Sequence, residues 1–357
     1  MMMFRLIAFC WMVQLVNAQA AVEMMTWTRL DGFQMVASPA SNSCVVTSPW
    51  VATSFPWVEA IPSWNIDDTQ PMGVKVELRA GFEKEESRWY NLGWWSMKTN
   101  TFTRRSDPEQ RDSHGVVLTD TLRVSRPATH CQMRVTIRGR TNALDVRMLG
   151  LCLSDPAVTR EAPPQWRAVP RELRVPQLSQ GNYPGGETAW CSPTSLAMVL
   201  NYWGNEIGQN QLCKQVPEIA EAVFDPLWPG TGNWAFNIAY AGSFSTLRAT
   251  VARFENLSQI EPWLHRGVPI VLSVAYPILK GLPDRKGGHL VVCVGFTEEG
   301  DVILNDPGSK EHPRLIVPCA RVEKAWAESG RTAYVIHPKH LKVPAWTTSA
   351  KVQGLSR

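Results

Sequence analysis

The sequence has no long hydrophobic run beyond its first twenty residues, and its excess of positive charge is small. Lys and Arg number 36 against 32 Asp and Glu, which gives a formal net charge of +4 for 357 residues. So small an excess gives no support to a nucleic-acid partner. We also expect no integral membrane segment after the N-terminal run. The 44% of hydrophobic residues allows two domains with sizeable cores.

Two metal-binding motifs are missing as well. The sequence contains no C-x-x-C pair and no H-E-x-x-H motif. These absences remove the support for a structural zinc site or a zinc-dependent peptidase. We therefore expect neither a metal nor an organic cofactor.

The first residues have the layout of a secretory signal peptide. Arg5 precedes an apolar run from Leu6 to Val16, and small residues follow, so we expect cleavage after Ala18 or Ala20. The run is too short to span a bilayer. Removal of residues 1–18 takes away one arginine and no acid, which lowers the net charge from +4 to +3. The expected location is therefore secreted or periplasmic.

Cysteine is present in an odd number after this cleavage. An odd number in an exported chain leaves at least one thiol unpaired, and the spacing assigns no disulfide. The remaining cysteines are Cys44, Cys131, Cys152, Cys191, Cys213, Cys293 and Cys319.

Residues 21–154 read as an all-β domain. Short alternating runs stand between turn residues, and in the run from 131 to 140 the residues Cys131, Met133, Val135 and Ile137 share one face. Several such strands in sequence predict a β-sandwich, which is a possible binding domain. The runs lie at 74–80, 115–124, 131–140 and 144–153.

This half is rich in tryptophan. Exposed indole rings would suit stacking on sugars of a cell wall or glycan, but large aromatic residues more often supply buried area, and we favour packing for most of them. They are Trp27, Trp50, Trp57, Trp64, Trp89, Trp94 and Trp95.

A second domain of α+β type follows a proline-rich link. Residues 154–176 hold five prolines and mixed charges, which disfavours a helix or a central strand, and we assign residues 155–172 to the link. From 173 to 340 helical spacing alternates with apolar strand-like runs, and residues 341–357 read as a tail. A short helix in 257–267 is expected to end at Gly267.

Cys191 stands at the start of a predicted helix in ETAWCSPTSLAMVLNYWG. Ser192 is a candidate cap, Pro193 fits the first turn and Gly204 is expected to end the helix. The free N–H groups and the dipole at such a position favour a thiolate. A small buried residue is the competing interpretation, and position alone does not decide between the two.

A base for this thiol is available in a predicted hairpin. His289 opens an apolar strand, TEEGD forms a turn and Asp306 ends the next strand. The start of one strand lies beside the end of its antiparallel partner, so we expect these two residues to be neighbours. An imidazole held by a carboxylate can take a proton from sulfur. The other histidines lack such a setting.

Acyl transfer through a thiolate also needs donors for an oxyanion. The backbone N–H of Cys191 is one candidate. Gln180, in VPQLSQGNYP, is our choice for a side-chain donor, with Gln177 as the weaker competitor.

At this point three ordered motifs resemble a known family. VPQLSQGNYPGGETAWCSPTSLAMVLNYWG, GHLVVCVGF and NDPG resemble the C39-like papain-like cysteine peptidases, which are related to bacteriocin double-glycine leader peptidases, over residues 173–340. The resemblance implies a papain-like fold with Cys191 as nucleophile, His289 as general base, Asp306 as orienting residue and Gln180 in the oxyanion hole.

The resemblance also suggests which residues contact substrate. The stretch 230–242 matches a segment expected to shape the substrate groove, and we expect substrate contacts from Trp190, Gly288, Asn233 and Trp234. Two features depart from the family: Ser192 stands where many members have glycine, and the interval from Gln180 to Cys191 is longer. The sequence has no P-loop and no transmembrane bundle, so the substrate of exporter-fused relatives does not transfer.

The sequence thus predicts an exported bacterial cysteine peptidase that cleaves amide bonds of a peptide or protein through a Cys191 thioester. A peptidoglycan amidase or endopeptidase, or an amide transferase with the same triad, is one alternative. A catalytically idle binding protein that uses the Trp-rich domain is another.

Overall fold

The computed structural model describes residues 22–67, 70–158, 161–163, 165–283 and 287–346. The expected signal peptide with its cleavage sites, and the tail beyond residue 346, lie outside the described residues. No helix within the described ranges is long and apolar enough to cross a membrane.

The N-terminal domain is built from strands, as the alternating runs predicted. All nine strands belong to one hydrogen-bonded sheet, with β1-β9-β4-β8-β3-β2 as its main order. The prediction of an N-terminal domain rich in β-sheet is thus confirmed, and hydrogen bonds connect its strands into one sheet. The strands are β1 (Val22–Trp27), β2 (Gln34–Ser38), β3 (Ser43–Thr47), β4 (Val51–Ile66), β5 (Gly73–Gly81), β6 (Tyr90–Trp95), β7 (Gly115–Leu118), β8 (Thr121–Arg138) and β9 (Val146–Ser154).

The sheet is continuous because β8 is shared along its length. Its first part pairs with β7 and with residues 51–60 of β4, and its second part pairs with β3 and β5. The run 115–124, taken as one strand from the sequence, is a hairpin that turns at Thr119 and Asp120. Cys131, Met133, Val135 and Ile137 are all buried, as their alternation predicted.

The C-terminal domain combines helices with an antiparallel sheet. Its sheet runs β11-β16-β12-β13-β14-β15, and β10 pairs with β13. Helix α1 packs on α2 and on β13. The elements are β10 (Arg171–Glu172), α1 (Cys191–Glu206), α2 (Val216–Val223), α3 (Trp234–Ser243), β11 (Leu247–Arg253), α4 (Glu261–His265), β12 (Ile270–Ala275), α5 (Tyr276–Leu279), β13 (Gly288–Phe296), β14 (Val302–Asn305), β15 (Arg314–Val317), α6 (Cys319–Ala327) and β16 (Thr332–Pro338).

Helix α1 begins earlier and ends later than the sequence predicted: its cap lies two positions before Ser192, and its last residue, Glu206, lies two positions after Gly204. Trp190 occupies the N-cap position and Cys191 is the first helical residue. Ser192 is therefore not the cap: it is buried, and its hydroxyl lies 2.9 Å from the Tyr334 hydroxyl. The helix also continues past Gly204. A side chain at this position would meet the Cys213 sulfur at 2.6 Å, so glycine is needed here for packing and does not end the helix.

The proline-rich segment packs on the second domain. Trp166 Nε1 donates to Glu261 Oε2 at 2.6 Å, and its ring contacts Phe296 edge-on at 5.9 Å. Beyond the last strand, Trp346 packs on Trp263 with ring centroids 4.7 Å apart. Parts of both segments that the sequence assigned to a link and a tail are thus held by aromatic contacts.

The two domains meet along the outer edge of β11. The side chain of Asn65 accepts from Ala249 N–H at 3.0 Å and donates to Ala249 C=O at 2.8 Å. Ser63 Oγ accepts from Val251 N–H at 2.9 Å, and Glu59 pairs with Arg253. Side chains of β4 therefore satisfy the backbone groups that an edge strand leaves open.

The tryptophans divide into core residues and a surface group. Trp27, Trp57, Trp64 and Trp95 are buried, in agreement with packing. Trp89 lies under the guanidinium groups of Arg79 and Arg134, at 4.7 and 4.3 Å from the ring centroid. Lys75 and Arg138 lie over Trp94 in the same way. Cations of the protein thus contact the rings that a sugar would stack upon.

None of the seven cysteines within the described residues forms a disulfide. Cys44, Cys131, Cys152 and Cys293 are buried, Cys191 and Cys319 are partly buried, and Cys213 is exposed.

Replacement of Asn65 by alanine is expected to destabilise the protein by about 2–4 kcal/mol, because it leaves two buried backbone groups of Ala249 without partners. Urea unfolding followed by tryptophan fluorescence measures the change in free energy. Asn100→Ala is the matched control, since Asn100 is exposed. Equal midpoints for the two variants would show that the contact with β11 does not stabilise the fold.

Candidate active site

The three polar residues that the sequence singled out in the second domain lie together, where β13 begins and β14 ends. Cys191 begins α1, His289 is the second residue of β13, and Asp306 directly follows β14. Cys191 and His289 line the same cavity, whose volume is about 440 Å³. That volume is within the range of roughly 300–1,000 Å³ typical of ligand clefts.

The hairpin brings His289 and Asp306 into contact as the turn position predicted. Thr297 N–H donates to Asp301 C=O at 2.8 Å to close the turn, and β13 and β14 pair with a bulge between Cys293 and Gly295. His289 Nε2 lies 2.7 Å from Asp306 Oδ1. Because Asp306 occupies Nε2, the other ring nitrogen, Nδ1, is left to serve the thiol of Cys191.

Charge and hydrogen bonding favour an ionised pair at Cys191 and His289. Burial alone would raise the pKa of the Cys191 thiol, but its hydrogen bond to His289 and the charge of His289 outweigh burial and lower that pKa. Backbone N–H groups of Leu290 and Ser192 add to the effect. Burial alone would lower the pKa of His289, but hydrogen bonds with Asp306 and Cys191 raise it to about 9. Both shifts favour the thiolate and imidazolium pair over the neutral thiol and imidazole.

Asp306 is held by more groups than the sequence indicated. Tyr276 Oη donates to Asp306 Oδ2 at 2.9 Å, and its ring lies 4.1 Å from the imidazole of His289. Gly308 N–H donates to Asp306 Oδ1 at 2.8 Å. Burial alone would raise the pKa of Asp306, but its contacts with His289, Gly308 and Tyr276 keep that pKa low. Tyr276 follows β12, whose pairing with β13 no local pattern revealed.

Gly308 is confined by the same cluster. A methyl group there would lie 2.8 Å from the Tyr276 hydroxyl and 3.1 Å from both Asp306 Oδ1 and His289 Cε1. Glycine in the NDPG motif thus leaves room for the histidine and aspartate to meet.

Gln180 is buried and is hydrogen-bonded to the loop that leads to Cys191. It is 5% exposed, its N–H donates to Pro307 C=O at 2.9 Å, and Nε2 donates to Glu187 C=O at 2.7 Å. Because the amide nitrogen carries two hydrogens, one remains for another acceptor. Gln177, its competitor, is exposed.

The four residues expected to contact substrate divide into two groups. Gly288 and Trp234 line the cavity, and a side chain added at Gly288 would meet nothing within 4 Å. Trp190 is half-buried and packs on Gly186. Asn233 is fully buried and caps α3 by accepting from Phe236 N–H at 3.2 Å, so it holds the start of the helix instead of facing the cleft.

The described part of the chain contains no cluster of three or more His, Cys, Asp or Glu side chains suited to a metal ion.

Comparison with known proteins follows the same division of the chain. The model of the Peptidase_C39 like family matches residues 172–334, and that of the Peptidase C39 N-terminal domain matches residues 19–154. No curated protein matches the sequence. Among solved structures, the chain is similar to one described as a "putative C39-like peptidase from Bacillus anthracis", with 18% identity and a TM-score of 0.34, over 49% of this chain and 99% of that one.

Cys191 is expected to react with iodoacetamide at pH 6 roughly tenfold faster than the other thiols, because His289 stabilises its thiolate. Peptide mapping after brief labelling measures each rate. Cys213 is the internal control, since it is exposed and lies outside the cavity that Cys191 and His289 line. Equal labelling of Cys191 and Cys213 would contradict the ion pair.

Replacement of Asp306 by asparagine is expected to slow labelling of Cys191 at pH 6, by a factor on the order of ten. Asp306 raises the pKa of His289, so its loss leaves less positive charge beside the sulfur and shifts the labelling midpoint to higher pH. Asp301→Asn, in the turn of the same hairpin, serves as the control. An unchanged midpoint in Asp306→Asn would show that Asp306 does not influence the ionisation of Cys191 through His289.

Proposed function

The chain belongs to the Peptidase_C39 like family, and from that premise we propose that it is an exported cysteine peptidase that cleaves peptide bonds with Cys191, His289 and Asp306. The observation that carries the proposal is the placement of His289. Its Nε2 atom lies 2.7 Å from Asp306 Oδ1. The imidazole also forms a hydrogen bond with the thiol of Cys191, which begins α1 and lines the same cleft.

The first half of the proposed reaction forms a thioester. The Cys191 thiolate attacks the carbonyl carbon of the substrate, and the electron pair of the C=O bond moves to oxygen. The backbone N–H of Cys191 and the second hydrogen of Gln180 Nε2 are the proposed donors to that oxyanion. As the C–N bond breaks, the His289 imidazolium gives its proton to the leaving amine.

The second half releases the acid and restores the enzyme. Neutral His289 takes a proton from water, the hydroxide attacks the thioester carbon, and the C–S bond breaks to return the thiolate beside the imidazolium. Asp306 holds Nε2 throughout, so the ring keeps the orientation that both proton transfers need.

Fold class, division and location belong to the same proposal. We assign the second domain to the papain-like class, because the cysteine begins a helix and the histidine lies on an antiparallel strand packed against it. Residues 21–154 and 173–340 are the proposed domains. Export rests on the apolar run at residues 6–16, and an oxidising exterior would make activity dependent on a reductant.

The alternatives use the same site differently. A peptidoglycan hydrolase or an amide transferase passes through the same thioester, and the identity of the acyl acceptor separates them. An idle binding protein would rely on the tryptophans, but Trp89 and Trp94 already contact cations of the protein.

Incubation of the reduced protein, without residues 1–18, with a mixed peptide and muropeptide pool is expected to generate new peptide termini. Mass spectrometry identifies them. Cys191→Ala is expected to generate none, because no thioester forms. Cys213→Ala, a second cysteine variant at an exposed position, is expected to retain the products.

New amine-linked or muropeptide products would instead establish a transferase or a wall hydrolase. Identical spectra for the wild type and Cys191→Ala would overturn the proposed catalytic function.

A further inference from the structure

The cleft beside Cys191 is lined by both domains. The N-terminal domain contributes the turn between β7 and β8, and the second domain contributes the residues around the thiol and the histidine. Leu118 and Asp120 of the first domain line the cleft together with Trp228, Cys191 and His289 of the second.

The β7–β8 turn is fixed in place by a contact across the domain border. Asp120 Oδ2 accepts from Trp234 N–H, the first helical N–H of α3, at 2.6 Å. Asp120 is 6% exposed, and its other oxygen accepts from the Thr121 hydroxyl at 3.2 Å. Because a carboxylate at a helix N-terminus is favourable, this bond stabilises the position of the turn relative to the cleft. Leu118, two residues earlier, is thereby held at the cleft.

Large apolar side chains are exposed on this cleft. Leu118 is 39% exposed and Trp228 is 45% exposed. The Trp228 ring lies over two glycines, since a side chain at Gly230 or Gly232 would meet it at 3.1 or 3.2 Å. The six-membered part of the ring therefore lies against its own loop, and Trp228 contributes apolar surface to the cleft that Cys191 lines.

Charge plays little part in the remaining lining. Among the described residues that line the cleft, only Cys191, His289 and Asp120 carry titratable groups. The first two are assigned to the reaction, and both oxygens of Asp120 already accept hydrogen bonds. The rest of the lining is uncharged, and Leu118 and Trp228 are its exposed large apolar side chains, which favours apolar contact with a substrate side chain.

We infer that the N-terminal domain supplies one wall of the substrate cleft through Leu118, and that this wall, with Trp228, selects peptides carrying a large apolar side chain beside the scissile bond. This inference rests on the proposed function, since the occupant is a peptide acylating Cys191. It assigns specificity to a domain that contributes none of the three triad residues.

Peptidyl acyloxymethyl ketones test this selection without any need for turnover. Two probe pairs are used, in which phenylalanine replaces alanine next to the ketone or one residue before it. Second-order rates of Cys191 labelling are measured by intact mass, and the phenylalanine-to-alanine ratio cancels differences in thiolate reactivity.

In the wild type at least one pair is expected to give a ratio of about ten or more, as apolar pockets discriminate by roughly 10–200-fold. Leu118→Ser and Trp228→Ala are each expected to lower that ratio by a factor of about three or more. Leu144→Ser is the matched control, because Leu144 belongs to the same domain and is 86% exposed outside the cleft. Its ratio should equal that of the wild type.

A ratio near one in the wild type, no labelling by any probe, or an unchanged ratio in Leu118→Ser would overturn the inference. A different result would count against the proposed peptidase function alone. In that case the probes would still label Cys191 with a preference for phenylalanine, but peptides would remain uncleaved.

Discussion

The outer edge of β11 is the constraint on which the rest of the molecule depends. An edge strand presents unpaired N–H and C=O groups, and here Asn65 and Ser63 of β4 satisfy those of Ala249 and Val251. Gly242 must be glycine for this contact, because a methyl group there would meet Asn65 Nδ2 at 2.4 Å. The bonds join two sheets into one body, so the β7–β8 turn reaches the cleft in a fixed position.

The contact between β4 and β11 also contains a buried ion pair. Glu59 and Arg253 are both nearly inaccessible, and Arg253 also donates to Ser154 Oγ at 2.6 Å. A buried charge pair gains little stability over apolar packing, but the loss of one partner is costly. The pair therefore acts against any other arrangement of the two domains, while the shared hydrophobic core supplies most of the stabilisation.

Local signals in the sequence predicted the parts of the site that one hairpin and one helix determine. His289 and Asp306 are neighbours because a five-residue turn joins their strands, and Pro193 marked the first turn of α1, where a proline is tolerated. Tyr276 and Leu118 were missed, since they reach the site through pairing of β12 with β13 and through contact between domains. Asn233 was misjudged because a capping asparagine and a substrate-binding one look alike in sequence.

Separate hydrogen bonds support the segment between Gln180, the proposed oxyanion donor, and Cys191, and the start of α3 beside it. Gln180 holds Glu187, the next part of that loop is held where Thr231 Oγ1 donates to Ala189 C=O at 2.9 Å, and three residues later Asp120 binds the start of α3. The long interval between Gln180 and Cys191 is thus anchored at both ends. Preorganised donors stabilise a developing oxyanion only if their supports are rigid. The β-domain therefore helps to fix the geometry of the site as well as to line its cleft.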